Sequence, residues 1–151
     1  MSTAYWLLVG TTALAWYHVG FVWLVQVVAW PLFAYVGPNE FPAYHQAWWR
    51  GIRYVLFIPT GLVFAGGLAL LFVRPSGVPA WLLILAFGLN LVMWILTAGW
   101  WGPQQSRLTD PRSPRVGLIN RTHWLRTALV SGYALAWLAA LVSGLQAHMS
   151  A

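Results

Sequence analysis

The segment YVLFIPTGLVFAGGLALLFVRPSGVPAWLLILAFGLNLVMWILTAGWWGPQQS, Tyr54 to Ser106, decides the fold. It carries one formal charge, Arg74. The runs on either side, 54–73 and 75–106, are apolar and uncharged. About 20 helical residues cross a hydrocarbon core of roughly 30 Å, so each run reads as a bilayer span. The short turn after Arg74 makes the two spans antiparallel neighbours. Working outward, 1–39 and 127–151 are also free of charge.

The reading is four transmembrane helices, at about 4–33, 53–73, 79–101 and 123–145. The first ends near Pro31 and the Gly37-Pro38 break. The second gains an amphipathic extension from Phe41, because Pro42 suits a first helical turn. The third stops at Gly102-Pro103. Ser113-Pro114 has the character of an N-cap and N1 pair, which points to an earlier, interfacial start for the fourth. The expected fold class is all-α, an integral membrane four-helix bundle formed by a single domain over 1–151.

Sixty per cent of the 151 residues are hydrophobic and 7% are charged. A soluble domain would carry roughly a quarter charged residues. The absence of Cys removes disulfides and thiolate chemistry, and the absence of Lys removes Schiff-base chemistry. The net charge of +6 does not indicate a nucleic-acid partner, since no soluble module is left to dock one. Anionic lipid headgroups are the expected partners of the arginines. Arg50 and Arg53 form one group; Arg107, Arg112, Arg115, Arg121 and Arg126 form the other. Seven arginines against Arg74 place loops 34–52 and 102–122 in the cytoplasm and both termini on the non-cytoplasmic side. The expected location is a bacterial inner membrane. Met1-Ser2-Thr3 has no basic character and the following apolar run is long, so the first span is expected to be retained rather than cleaved.

Polar side chains inside a bilayer carry a cost and mark function by default. His18 and Gln26 lie on the first helix. Asn90, Trp94, Thr97 and Trp101 share a face of the third. His45, Trp49, Arg53 and Thr60 fall within about 80° on the second, and Asn120, His123, Thr127 and Ser131 do so on the fourth. All four polar faces can point inward. The bland alternative is hydrogen bonding that fixes packing, with the arginines snorkelling to headgroups. Trp16, Trp23 and Trp30, seven apart, read as a lipid- or partner-facing stripe. Trp48, Trp49 and Trp101 read as interface anchors. Gly61, Ala65, Gly66 and Gly67 read as a small-residue packing face.

His18, His45 and His123 are the plausible metal or haem ligands. Only two carboxylates, Glu40 and Asp110, are present, and both fall in loops. That argues against a di-iron carboxylate bundle. Cofactor-free chemistry needs a base, an electrostatic clamp and an apolar pocket. His45 or His123, with Arg53, Arg121 or Arg126, supplies the first two.

The stretch VQVVAWPLFAYVGPNEFPAYHQAWWRGIRYVLFIPTGL, Val25 to Leu62, resembles bacterial members of a small four-span membrane protein family known through fungal anthrone oxygenases. Gln26, Pro31, Phe33, Tyr44, His45 and Pro59 carry that likeness. LINRTHWLRTALVSGYALAWL, Leu118 to Leu138, is similar to a second signature, here Asn120, Trp124, Arg126 and Thr127. The resemblance implies oxygenation of a polyketide-type aromatic without a metal or organic cofactor.

The leading expectation is an oxygenase or oxidoreductase acting on a hydrophobic aromatic or isoprenoid molecule. His45 would be base or ligand, with Arg53, Arg126 and Asn120 orienting an oxyanion or headgroup. His18, Gln26, Asn90 and Trp94 would line the deeper wall. Two other classes stand beside it. One is a non-catalytic subunit of a larger membrane complex, or a homo-oligomer. The other is a carrier of haem, quinone or pigment.

Overall fold

Each apolar run folds as one long helix in the computed structural model, which describes residues 2–149. The helices are α1 (Thr3–Phe33), α2 (Phe41–Phe72), α3 (Ala80–Ser106) and α4 (Pro114–Met149). All four are long and apolar enough to cross a membrane. The protein is an all-α, multi-pass membrane bundle, with no strand among the described residues.

α1 packs beside α2 and α4, and α3 closes the ring against the same two. The side-chain pairings show that neighbours run in opposite directions. The ring of Tyr5 lies 5.0 Å from that of His148, while Gln26 near the other end of α1 bonds Asn120. Phe64 pairs with Phe87 at 5.1 Å and Phe57 with Trp94 at 6.0 Å. One end of the bundle therefore holds the chain termini and the turn at Arg74. The other holds loops 34–40 and 107–113 and the remaining arginines. Helices of 32 and 36 residues, at about 1.5 Å per residue, exceed the hydrocarbon thickness, so α2 and α4 reach beyond it.

One helix boundary differs from the sequence reading. α2 begins at Phe41 and α4 at Pro114, the starts that Pro42 and Ser113-Pro114 indicate. α3 does not stop at Gly102-Pro103 but continues to Ser106. The reason is a π turn before the proline, at Thr97–Trp101, where the Gly102 N–H reaches the Thr97 carbonyl five residues back. A Cβ at Gly102 would stand 2.9 Å from that carbonyl oxygen, so glycine permits the close approach. The same arrangement recurs at Val25–Ala29 before Pro31 and at Arg53–Phe57 before Pro59. A proline ring inside an α-helix clashes with the carbonyl four residues earlier and offers no N–H to it. A wider turn moves that carbonyl clear, and the helix continues instead of ending. Before Pro59 that carbonyl is Val55, which accepts a hydrogen bond from the Tyr17 hydroxyl at 3.1 Å.

Each π turn adds a residue and so rotates the rest of its helix by about 100°. Trp16 and Trp23 face outward, as the seven-residue stripe predicts, but Trp30 comes after the π turn in α1 and is buried. Trp101 is likewise buried, not an interface anchor.

Packing differs between the two halves. Toward the termini, Leu8, Ala15, Val63, Leu70, Leu83 and Trp137 form a dense core. Gly67 lies against Trp137 and Phe87, where an added Cβ would come within 2.9 Å and 3.2 Å. Gly66 lies against Thr11. Gly61 does not share this contact and Ala65 is exposed, so the small-residue face is two residues wide. Toward the arginine-rich end a second core, with Trp30, Phe33, Phe41, Ile52, Trp101 and Ile119, is built largely of bulky rings.

Candidate functional site: an aromatic cavity around a buried arginine

A cavity of about 530 Å³ occupies the arginine-rich half, within the range of roughly 300–1,000 Å³ that holds small organic ligands. All four helices contribute to it. α2 supplies Trp48, Trp49 and Phe57; α3 supplies Trp94 and Gln105. α1 supplies His18, and α4 supplies His123 and Arg126. Ser106 and Arg107 form its exposed mouth.

A row of rings leads into the wall. Phe41, His45, Trp48 and Trp49 stack in succession at 5.6–6.3 Å, and Phe57 bridges Trp49 to Trp94 at 6.5 and 6.0 Å. Such walls suit a flat apolar molecule.

Arg126 is the polar centre. It is buried, with 6% of its surface exposed. Its guanidinium carbon lies 4.5 Å from the centroid of the Trp101 ring. That ring is held from the other side, its Nε1 donating to Thr122 at 3.2 Å. The Arg126 Nε and Nη2 have no hydrogen-bond partner among the described residues. Both carboxylates of the chain stand in the loops before α2 and α4, so none is placed to neutralise it. A buried cation facing a cavity without a counter-charge is costly unless an anion completes it.

His123 is the second polar group, and its orientation is determined. Gln26 donates from Nε2 to the Asn120 side chain at 2.9 Å and to the Asn120 backbone carbonyl at 3.3 Å. A backbone carbonyl only accepts, which fixes which end of the Gln26 amide is the donor. Its Oε1 therefore accepts, and the His123 Nδ1–H donates to it at 2.7 Å. The neutral ring then carries its lone pair on Nε2. His18 shares a hydrogen bond between its Nδ1 and the Tyr133 hydroxyl. His18, His123 and Arg126 are close enough to act on one another electrostatically. Asn90 is buried beside Tyr133, with neither amide atom in hydrogen-bond geometry.

Of the residues singled out in the sequence, His18, His123, Arg126 and Trp94 converge on the cavity. Gln26 and Asn120 stand behind His123 and orient it. Asn90 lies beneath, against Tyr133. His45 is buried one ring away, among Phe41, Phe33 and Trp48, and its Nε2 has no partner. Arg53 is exposed and does not line the cavity. It comes directly after Ile52, a wall residue, and so points about 100° away. His18, His45 and His123 do not form a three-ligand group, and no cluster of three metal-ligating side chains occurs among the described residues. The sequence reading did not assign Trp48, Gln105 or Arg107 to the site. Their signal was Pro59 and Pro103, prolines inside apolar runs.

Comparison with protein-family models, curated proteins and solved structures finds no match for this chain.

Proposed function

We propose that this protein is an anthrone-oxygenase-like membrane enzyme that binds a flat, apolar aromatic molecule bearing one acidic or enolisable oxygen. The observation that carries this reading is the buried, carboxylate-free Arg126 in an aromatic cavity, beside a histidine whose free nitrogen is Nε2. The resemblance of Val25–Leu62 and Leu118–Leu138 to that family supports the reaction type.

His123 Nε2 takes a proton from the activated methylene of a tricyclic aromatic ketone. Its Nδ1–H, held by Gln26, keeps the lone pair on the reacting side. The negative charge that develops on the ketone oxygen faces Arg126, which is already in place and needs no reorganisation. Dioxygen, an apolar gas soluble in the bilayer, accepts electrons from the anion and bonds to the methylene carbon. The peroxide takes back the proton from His123 and loses water, leaving a quinone carbonyl. One dioxygen is consumed: one atom enters the product and one leaves as water, with both methylene hydrogens. The reading places the arginine-rich loops in the cytoplasm of a bacterial cell.

The test supplies anthrone to the protein in lipid nanodiscs and measures anthraquinone formation and oxygen uptake. Turnover well above that of empty discs, with one oxygen per quinone, supports the reading. His123→Ala should then lose about 100-fold or more, the low end of what a general base contributes. Turnover no greater than that of empty discs, or equal in wild type and His123→Ala, overturns it.

A further inference from the structure

A second concavity, of about 310 Å³, opens on the lipid-facing side between α1 and α2. It shares Phe21, Val25, Trp48 and Ile52 with the central cavity, so the two adjoin at these side chains. Its floor is made of small residues, Ala29, Ala47 and Gly51. Leu24 and Val55, both about half exposed, form its rims. Between positions 47 and 55 it runs along roughly 12 Å of helix. It lies between two contacts of α1 with α2: the Tyr17–Val55 bond on one side, and Trp30 and Phe33 against Trp48 at 6.3 and 5.4 Å on the other.

We propose that this groove holds the apolar tail of the molecule whose acidic ring occupies the central cavity. The ligand is then an amphiphile, an aromatic acid carrying an alkyl or isoprenoid chain about 12 Å long, and it enters sideways from the bilayer. This rests on the reading of the central cavity as an anion-binding aromatic site. Three observations favour the tail over a free lipid chain. The groove adjoins the cavity at these four side chains, so a chain passing between them joins the two. Its lining has no charged, amide or hydroxyl side chain. The other exit is unsuitable for a hydrocarbon, because Gln105, Ser106 and Arg107 surround it. Between lipid and groove a hydrocarbon gains little energy, since lipid tails are as apolar as the groove. The groove therefore acts by admitting a tail that the closed wall would exclude.

Gly51 offers a clean test. A Cβ there meets nothing within 4 Å, so a larger side chain fills the groove without disturbing the bundle. Two probes are compared in nanodiscs by quenching of tryptophan fluorescence: 2-hydroxy-1,4-naphthoquinone, and the same ring with a 3-undecyl chain. Wild type should bind both. Gly51→Leu should weaken the tailed probe at least tenfold and leave the tailless probe unchanged; Ala47→Phe, filling the same floor, should do the same. If both filled variants bind the tailed probe as wild type does, the groove holds ordinary lipid and the inference fails while the cavity reading stands. If wild type binds only the tailless probe, the inference also fails. If wild type binds neither, the cavity reading fails and takes this inference with it.

Discussion

Arg126→Met should make the unliganded protein more stable while abolishing its capacity for anions. Methionine keeps the length of the side chain and most of its packing, and removes the charge. Arg126 leaves two buried donors, Nε and Nη2, without partners. Each unmade bond costs about 1–3 kcal/mol, so the pair costs about 2–6. The Trp101 ring at 4.5 Å offsets about 2 kcal/mol of this as a cation–π contact. The variant should therefore gain about 0–4 kcal/mol in a reversible unfolding titration in mixed micelles. Binding of 2-hydroxy-1,4-naphthoquinone should fall by about 30-fold or more, since removing one member of a buried charge pair costs roughly 2–5 kcal/mol. Stability lost for function gained is the usual pattern at a preorganised site. Destabilisation of the variant by more than about 2 kcal/mol would refute this, because Arg126 would then be a satisfied structural residue. Unchanged probe affinity would refute it equally.

Gln26→Leu should leave the His123 ring free to adopt the other tautomer, lowering turnover about tenfold or more with little change in KM. The same variant strands the Nδ1–H, so unfolding titrations should show a loss of about 1–3 kcal/mol. Gly67→Ala should destabilise the bundle by about 1–3 kcal/mol, because Trp137 and Phe87 leave no room for a methyl group, and should not alter probe binding. Detergent unfolding curves with parallel fluorescence titrations check both halves of that statement.

The fold was legible because charge is so rare: one arginine between two long apolar runs defines a hairpin of spans. The inward position of His18, Gln26 and Asn90 was legible too, since a 3.6-residue period holds along the helix up to each of them. The period fails after each π turn. Trp30 was placed on the wrong face for that reason, whereas Trp101, grouped with Asn90, Trp94 and Thr97, is buried as that grouping expects. Arg53 was grouped with His45 by α-helical phase, but it is one step past the cavity wall and faces outward. Gln105 and Arg107 were lost differently, because Gly102-Pro103 reads as a helix stop. The constellation of His123, Gln26 and Asn120 joins residues about a hundred positions apart, and only the antiparallel register of α1 and α4 brings them together.

The three prolines explain why the cavity lies in the arginine-rich half. Pro31, Pro59 and Pro103 each stand two residues past a π turn, and residues of all three turns line the cavity. No proline interrupts the helices in the other half, which packs densely around Gly66 and Gly67. If the wide turns create the opening, restoring one N–H should close it. In Pro103→Ala the new N–H can reach the Gly99 carbonyl, and an interior proline costs about 3 kcal/mol relative to alanine. Regular α-helix through 97–103 would rotate the later residues by about 100°, carrying Gln105 and Arg107 off the wall and Trp101 from beneath Arg126. The variant should unfold at higher denaturant and bind 2-hydroxy-1,4-naphthoquinone at least tenfold more weakly. Greater stability with unchanged binding would show that the cavity does not depend on the π turn in α3, and the shape of this half would then have to come from ring packing alone.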